Sequence, residues 1–270
     1  MTTDRQLVFG DDGSAAADVV WQWIGHHTWP GWRVSVVTAT EAPAGAPAAL
    51  GQSSLRPWQP AELRRLPEGS DAEVEFLTAE SDPRLLLDSF HDAGLIAIGP
   101  RGRGVLKQLH IGSTAEWLLH SPPAPLVIVR SARPTRTVLL CVDGSAHARR
   151  AAASVSAMPW IGGCRVIVLA VQGETPDVEG GMEHALGLLR PTGAVVEERL
   201  VQAIRFTATF DVRSVILEAI VEDEPDLVAM GTRGLSWVRR MVSGSTATAV
   251  VHHARCSVLI ARDLATDRDG

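Results

Sequence analysis

The chain has 270 residues, which is long for one compact domain and typical of two domains of ordinary size. It is 46% hydrophobic and 21% charged, a globular balance that excludes wholesale disorder. Its net charge of −6 argues against broad binding to nucleic acid or to an anionic membrane, and no apolar run approaches the roughly 20 residues that span a bilayer. The N-terminus lacks a basic region followed by an apolar signal core, so we expect a cytoplasmic protein.

The cysteines are widely spaced, at Cys141, Cys164 and Cys256. The sequence contains no CxxC pair and no Cys/His ligand set, so no metal site is predicted. Cys141 and Cys256 lie in apolar, strand-like runs, which predicts buried and reduced thiols.

One sequence pattern occurs twice, with an offset of 131 or 132 residues. The matching pairs are DDGS (11–14) with VDGS (142–145), the glycine loops that begin at 99 and 231, and APLVIVR (124–130) with CSVLIAR (256–262). A period this long indicates a duplicated domain rather than a solenoid. We therefore predict domain 1 over residues 1–131, a linker at 132–136 and domain 2 over residues 137–270.

In the first copy, the chain alternates between apolar runs and helical patterns. The predicted strands are 6–10, 33–39, 72–77, 95–98 and 126–130, and the predicted helices are 14–26, 61–66, 81–92 and 112–120. Residues 40–60 are rich in Pro, Ala, Gly and Ser, which indicates a surface loop. In the helix at 81–92, Ser81 precedes the helical pattern, and Asp82 and Pro83 are expected in the first turn.

The second copy repeats this plan. Its predicted strands are 137–142, 164–171, 194–201, 227–230 and 257–261, and its helices are 145–157, 178–190, 211–223 and 244–254. Apolar strands that alternate with helices imply an α/β fold with a parallel sheet covered on both faces. The DGS segments and the glycine loops all follow strands, so they are expected to meet at the carboxyl edge of the sheet, where such folds bind ligands.

The glycine loops have the same spacing in both copies. Two residues separate the first two glycines and nine residues separate the second from the third: Gly99, Gly102 and Gly112 in the first copy, and Gly231, Gly234 and Gly244 in the second. The early glycines would let backbone approach a ligand, and the last would begin a helix with unpaired N–H groups. Hydroxyl groups follow directly, at Ser113, Thr114, Ser245 and Thr246. These features predict a triphosphate site.

Each of these features also has a purely structural interpretation. The glycines could form tight turns, and the hydroxyl residues could cap helices. Asp12 and Asp143 follow the first strand of each copy, where a carboxylate could contact a base or ribose or could stabilise the strand-to-helix turn. Neither loop is a Walker A sequence, and no GxGxxG follows the first strand, which disfavours NAD or FAD.

These motifs together resemble the universal stress protein family. The stretch DLVAMGTRGLSWVRRMVSGSTATAVVHHARCSVLIAR (226–262) carries the strongest match, and LIAIGPRGRGVLKQLHIGSTAEWLLHSPPAPLVIVR (95–130) the second. The resemblance implies two tandem Rossmann-like domains of the adenine nucleotide alpha hydrolase type, each with a five-stranded parallel sheet. It also implies adenine-nucleotide binding, pairing of the two domains through their fifth strands (126–130 and 257–261), and a role in stress tolerance, usually without demonstrated catalysis.

The family pattern marks seven positions in each copy. In the second copy these are Asp143, Val171, Gly231, Gly234, Gly244, Ser245 and Thr246. In the first copy they are Asp12, Ala39, Gly99, Gly102, Gly112, Ser113 and Thr114.

The first copy departs from the second at two positions. Asp11 stands where the second copy has Val142, and Pro100, which has no backbone N–H, stands where it has Thr232. A second carboxylate would repel phosphates unless an arginine or a metal such as Mg²⁺ offsets its charge. We therefore expect domain 2 to bind ATP more tightly than domain 1.

Several other residue groups have structural alternatives that we prefer or leave open. The cationic loop residues could contact phosphates or remain solvated, the histidine pairs are expected at helix ends, and the tryptophans are expected in packing. These residues are Arg101, Arg103, Lys107, Arg233, Arg239, Arg240, His26, His27, His252, His253, Trp21, Trp23, Trp29 and Trp32.

The expected function is that of an ATP-binding sensor or regulator in stress response, acting through a homodimer or an unidentified protein partner, with neither nucleic acid nor membrane as its partner. No nucleophile motif with Ser/His/Asp or Cys/His order is recognised, which argues against catalysis. A slow ATP hydrolase or adenylyl-transferring enzyme, and a nucleotide-free interaction scaffold, remain the alternatives.

Overall fold

The computed structural model describes residues 5–40, 52–58, 72–102, 111–172, 177–202, 212–232 and 245–263. By its internal contacts the chain divides into two compact units, Met1–Pro134 and Thr135–Gly270, which we call domain 1 and domain 2. Each domain is an α/β sandwich with helices packed on a mostly parallel sheet, so the predicted fold class is confirmed.

Domain 1 contains a sheet in the order β3-β4-β2-β1-β5-β6. Its elements are β1 (Arg5–Gly10), α1 (Ala15–Gly25), β2 (Trp32–Thr40), β3 (Arg56–Pro57), β4 (Glu73–Glu80), α2 (Pro83–Asp88), β5 (Leu95–Ile98), α3 (Ser113–His120) and β6 (Leu126–Ile128). All neighbouring strands are parallel except β3, which runs antiparallel to β4. The sequence missed β3 because it is a two-residue strand inside a stretch rich in turn-forming residues.

Domain 2 contains a fully parallel sheet in the order β9-β8-β7-β10-β11. Its elements are β7 (Thr137–Val142), α4 (Ala146–Ser156), β8 (Arg165–Gln172), α5 (Val178–Leu189), β9 (Val195–Gln202), α6 (Val212–Asp223), β10 (Leu227–Gly231), α7 (Ser245–His253) and β11 (Ser257–Ala261). The strands β7, β10 and β11 are buried along all or nearly all of their length, which explains their apolar sequences.

In both domains the order of strands reverses at the same place. In domain 1 the first strand, β1, lies between β2 and β5, and in domain 2 the first strand, β7, lies between β8 and β10. A crevice opens beyond the carboxyl ends of the strands at such a point, because the connections on its two sides leave toward opposite faces. Both DGS segments and both glycine loops begin at this crevice.

Most predicted elements lie within two residues of the observed ones, and the clearest difference is α2. This helix begins at Pro83 with Asp82 as its N-cap, whose carboxylate accepts from the Arg84 N–H at 2.8 Å, so Asp82 caps the helix instead of lying in its first turn. It also ends at Asp88, earlier than predicted. The helix predicted at 61–66 lies outside the described residues.

The tryptophan-rich segment around α1 packs into the core of domain 1, as predicted. Trp23 and Trp29 are at most 2% exposed, and their ring centroids lie 5.9 Å apart in an edge-on arrangement. His27 packs against the same rings and bonds through Nδ1 to the Trp23 carbonyl oxygen at 2.7 Å, so it is a satisfied core histidine. His252 and His253 occupy the last turn of α7.

The cysteines are thiols rather than disulfides, as predicted, but the predicted burial is confirmed for Cys141 and wrong for Cys256, which precedes β11. Cys141 and Cys164 are buried, and Cys256 is half-buried. Burial raises the pKa of Cys141 to about 12 and that of Cys164 to about 11, so neither is a ready thiolate. Within the described ranges there is no cluster of His, Cys, Asp and Glu able to hold a metal ion. None of the helices described is both long and apolar enough to cross a membrane.

Candidate functional site

A cavity of about 390 Å³ lies at the crevice of domain 1. All seven positions marked in this copy line it: Asp12, Ala39, Gly99, Gly102, Gly112, Ser113 and Thr114. The volume falls within the range of roughly 300 to 1,000 Å³ that is usual for small-molecule sites. Residues that are far apart in the sequence are therefore brought together around one ligand-sized space.

Part of the cavity lining consists of buried apolar side chains. Leu86 and Leu87 of α2 and Ile98 of β5 line the cavity and are at most 4% exposed. Sequence analysis missed the contribution of α2, although two successive leucines after Asp82 and Pro83 indicate a helix with a buried face. An apolar surface of this kind accepts the face of an aromatic base and contributes roughly 25 cal/mol for each Å² of apolar surface that it buries.

The N-terminus of α3 forms another part of the cavity lining. Gly112 is the N-cap of this helix, with φ −81° and ψ 163°, and it has no side chain to accept from the first amides. By contrast, Ser14 at the start of α1 accepts from the Ala17 N–H at 3.2 Å. The unpaired N–H groups and partial positive charge of an uncapped helix start form a binding site for an anion.

Two carboxylates occupy the turn after β1, on the rim of the cavity. Asp11 accepts from the Gly13 N–H at 2.8 Å, and Asp12 accepts from the Ser14 N–H at 3.0 Å. The second carboxylate oxygen of Asp12 lies against Gly102, where a Cβ atom would approach it to 2.3 Å. Asp12 therefore has the structural role considered in the sequence analysis and at the same time lines the cavity.

The first glycine of each loop has a packing role that the spacing did not reveal. A Cβ atom on Gly99 would lie 2.9 Å from the Ala16 Cβ, and one on Gly231 would lie 2.7 Å from the Ala148 backbone nitrogen. The prediction that these glycines admit a ligand is therefore incomplete. Their close contact is with the helix that follows the first strand, which could not otherwise pack on the end of the sheet.

The described part of the site in domain 2 is more enclosed. Asp143 is 4% exposed, and Val171 of β8 and Thr246 of α7 are buried. The start of α5 covers the turn after β7: a Cβ on Gly144, which has φ +79°, would lie 2.2 Å from the Asp177 carbonyl oxygen. Gly231 ends β10 and Ser245 begins α7, whereas Gly234 and Gly244 lie outside the described residues.

Asp143 has only one of its carboxylate oxygens satisfied within the described structure. Oδ1 accepts from the Ser145 N–H at 3.0 Å, while Oδ2 is buried and has no hydrogen-bond partner there. Burial raises the pKa of this carboxyl group, against the hydrogen bonds from Ser145, which lower it. A buried acceptor without a partner is costly, and a ligand in the crevice could satisfy it.

The prediction that Pro100 removes a backbone donor from the ligand site is wrong. The Thr232 N–H donates to the Ala261 carbonyl oxygen at 2.9 Å and so extends the pairing of β10 with β11. The donor that Pro100 lacks is therefore a sheet donor, and its loss does not by itself weaken phosphate binding in domain 1. Pro100 instead accepts from the Gly112 N–H at 2.7 Å, which joins the two ends of the first loop.

Positive charge reaches the cavity rim at Arg101, which lines it. The other cationic loop residues named in the sequence analysis, Arg103, Lys107, Arg233, Arg239 and Arg240, lie outside the described residues.

Comparison with known proteins identifies this arrangement. A model of the universal stress protein family matches the chain twice, over residues 5–130 and 134–262. The chain belongs to the universal stress protein family. The two matches, one in each domain, make it a tandem member.

Individual universal stress proteins support the assignment. One from Thermus aquaticus is 34% identical over 141 residues, covering 47% of this chain and 98% of the relative. One from Mycobacterium tuberculosis is 27% identical over 223 residues, covering 73% of this chain and 75% of the relative. A universal stress protein structure from Archaeoglobus fulgidus has a TM-score of 0.61 at 19% identity and covers 96% of this chain and 99% of its own, which shows the shared fold.

Proposed function

We propose that this universal stress protein binds adenine nucleotides, ATP foremost, in the cavity of domain 1 and at the corresponding crevice of domain 2. The observation that carries the proposal is a single ligand-sized cavity whose lining is divided between buried apolar side chains and an uncapped helix N-terminus. A nucleotide has the same division, with an aromatic base and a charged phosphate chain. The family resemblance adds an independent expectation of adenine-nucleotide binding.

Each part of the nucleotide has a counterpart in the lining of domain 1. The base would pack on Leu86, Leu87 and Ile98, and the carboxylate of Asp12 would accept from a polar group of the base or ribose. The phosphates would lie at Ser113 and Thr114, whose N–H groups begin α3 and whose hydroxyl groups add donors. A Mg²⁺ ion bound with the phosphates would offset the charge of Asp11 and Asp12.

We further propose that occupancy, rather than a reaction, is the output of the site, and that it regulates a protein partner or a homodimer in the cytoplasm. The described lining of the cavity has two carboxylates and one arginine but no histidine, cysteine or lysine. Of the groups that usually activate a nucleophile, the described lining therefore offers only the two carboxylates. A nucleotide held in this way stabilises the bound form of the protein by mass action.

Calorimetric titration of the full chain with ATP, ADP and AMP tests the proposal, in the presence and absence of Mg²⁺. We expect saturable ATP binding. We also expect that neither ADP nor AMP accumulates when ATP is in large excess over the protein. Multiple-turnover release of ADP or AMP that a loop substitution abolishes would instead support the enzyme alternative. Failure to bind any of the three nucleotides would support the scaffold.

A further inference from the structure

We propose that His147 is a positioning residue that holds the start of the phosphate loop in domain 2, and that domain 1 performs the same task in a different way. This inference rests on the proposed function in one respect, namely that the loop beginning at Gly231 binds nucleotide. The contacts that carry it are all within the described residues of domain 2.

His147 contacts the first two residues of the loop in succession. It lies in the first turn of α4 and is 7% exposed. Gly231 packs directly on its backbone, since a Cβ at Gly231 would lie 2.7 Å from the His147 carbonyl carbon. Its ring Nδ1 then lies 3.1 Å from the hydroxyl oxygen of the next loop residue, Thr232.

The same nitrogen also holds the chain that leaves the sheet after β11. The backbone N–H of Asp263 donates to His147 Nδ1 at 3.1 Å. One ring nitrogen therefore joins the ends of β10 and β11 to the start of α4. Because these three segments surround the crevice, movement of the imidazole would be transmitted to the start of the loop.

These partners determine the protonation state of the ring. A backbone N–H can only donate, so Nδ1 must be an unprotonated acceptor, and the proton of the neutral ring lies on Nε2. The Thr232 hydroxyl then donates to the same Nδ1 lone pair, which it shares with the Asp263 N–H. Its lone pairs remain available to accept, while its proton is not available to a phosphate. Thr232 is thus a structural part of the loop rather than a phosphate donor.

Domain 1 holds the start of its loop without such a side chain. Its residue corresponding to His147 is Ala16, and Gly99 packs on Ala16 as Gly231 packs on His147. The next residue is Pro100, whose ring fixes φ near −65° and whose carbonyl oxygen accepts from the Gly112 N–H at 2.7 Å. Proline rigidity in domain 1 corresponds to the His147–Thr232 hydrogen bond in domain 2. The start of the second loop is therefore ordered by an interaction that a side-chain substitution can remove.

The test measures ATP affinity of domain 2 in the full chain by calorimetry. Gly112→Asp is introduced first so that domain 1 does not contribute. In this background we expect His147→Ala to weaken ATP binding about tenfold, the effect of losing one buried hydrogen bond. His147→Asn should retain affinity to within about threefold, because its carboxamide oxygen can accept where Nδ1 did. Thr232→Val should weaken binding as His147→Ala does, and the double variant should be no weaker than either.

The matched control places His147→Ala in a Gly244→Asp background, where only domain 1 binds. ATP affinity there should be unchanged. Three results would each overturn the proposal. They are an equal loss of ATP affinity in both backgrounds, an unchanged ATP affinity of domain 2 in His147→Ala, and fully additive losses of affinity in the double variant. If His147→Ala does not fold, Thr232→Val and His147→Asn decide the same question.

A second readout separates this inference from the proposed function. In ¹⁵N NMR spectra, the His147 ring should show an unprotonated Nδ1 and a protonated Nε2, and His147→Ala should remove hydrogen-exchange protection from the Asp263 amide. If the parent chain binds no nucleotide but both signatures appear, the proposed function fails while the positioning role stands. A protonated Nδ1, or an Asp263 amide that stays protected without His147, would contradict the role itself.

Discussion

Residues that share a motif position differ in what they contact. Gly99 and Gly231 meet the helix that follows the first strand, whereas Gly112 begins α3 with backbone angles that many residues adopt. The motif therefore combines one glycine required by packing with one that leaves a helix N-terminus uncapped. A substitution at each should affect a different property of the protein.

Gly99→Ala tests the packing role. Its Cβ would lie 2.9 Å from the Ala16 Cβ and 3.2 Å from the Ala16 carbonyl oxygen, so α1 must move away from the sheet. We expect the free energy of unfolding to fall by about 1 to 3 kcal/mol, as for other overpacked sites. Urea denaturation measures it, with Gly187→Ala in α5 as the control because a Cβ there meets nothing within 4 Å. Equal stability of Gly99→Ala and the control would contradict the packing role.

Asp143→Asn tests the buried carboxyl group of domain 2. Burial raises the pKa of this group in the folded protein above its ordinary value of 3.8, so its ionised form opposes folding. That destabilisation is absent below the unfolded pKa, grows as the pH rises through the raised folded pKa, and is complete above it. The asparagine variant has no such charge and can still accept from the Ser145 N–H.

We therefore expect Asp143→Asn to be more stable than the wild type at pH 7, by about 1 kcal/mol, and to lose that advantage near pH 3. Urea denaturation at the two pH values measures the difference. An advantage of the same size at both values would mean that the carboxylate charge is not its cause, and a loss of stability at pH 7 would contradict the burial argument.

At the scale of elements, α3 is the part of domain 1 most directly arranged for a ligand. The neighbouring α2 has Asp82 as a side-chain cap, while α3 presents uncapped amides to the cavity. A helix start without a cap is less favourable by itself than one with a cap. Its position in the lining of a partly apolar cavity gives that arrangement a functional explanation.

Gly112→Asp tests this explanation. An aspartate N-cap would accept from the first amides of α3 and place a negative charge where the phosphates are expected. A Cβ at this position would lie 3.3 Å from the Arg101 Cα, a tight contact that offsets the gain from the new cap, so we expect stability to change by less than about 1 kcal/mol. We expect ATP affinity of domain 1 to fall at least about tenfold. Thermal unfolding without nucleotide and calorimetry with ATP measure the two effects. Retained ATP affinity, or a large loss of stability, would each contradict the assigned role of α3.

The elements also show how much the sequence could predict. The inner strands were found because they are buried on two faces and read as apolar runs, as in β7 and β10, whereas β4 and β9 are more exposed and mix apolar with charged residues. The short β3 was missed because its place depends on β4, which lies sixteen or more residues further along the chain. The contribution of α2 to the cavity lining was missed for a similar reason. Hydrophobic periodicity predicts a helix, but it does not predict which cavity the helix lines.

The candidate site shows the same limit. Spacing and duplication predicted the seven residues that line the cavity of domain 1. They could not show that Gly99 packs on Ala16, or that Asp143 is enclosed by α5, because both depend on contacts between segments distant in the sequence. His147 carried only one signal, a polar residue in the first turn of α4 where the other copy has alanine.

At the scale of the whole molecule, the two domains share one fold but differ in residues around the crevice of each. Domain 1 has Asp11, Pro100 and Ala16 where domain 2 has Val142, Thr232 and His147. The extra carboxylate of Asp11 would repel phosphates, so tighter ATP binding by domain 2 is still expected. The lack of an N–H at Pro100 does not contribute to this difference. Pairing of the domains through their fifth strands stays a prediction from the family resemblance.

Counting bound nucleotides by native mass spectrometry tests the central claim most directly, which is that each domain of this universal stress protein holds an adenine nucleotide at its crevice. We predict two ATP molecules for each chain at saturation, one for Gly112→Asp and one for Gly244→Asp, with the tighter site lost in Gly244→Asp. The double variant should bind none. A wild-type chain that stays free of nucleotide at millimolar ATP, or single variants that still bind two molecules, would contradict the account.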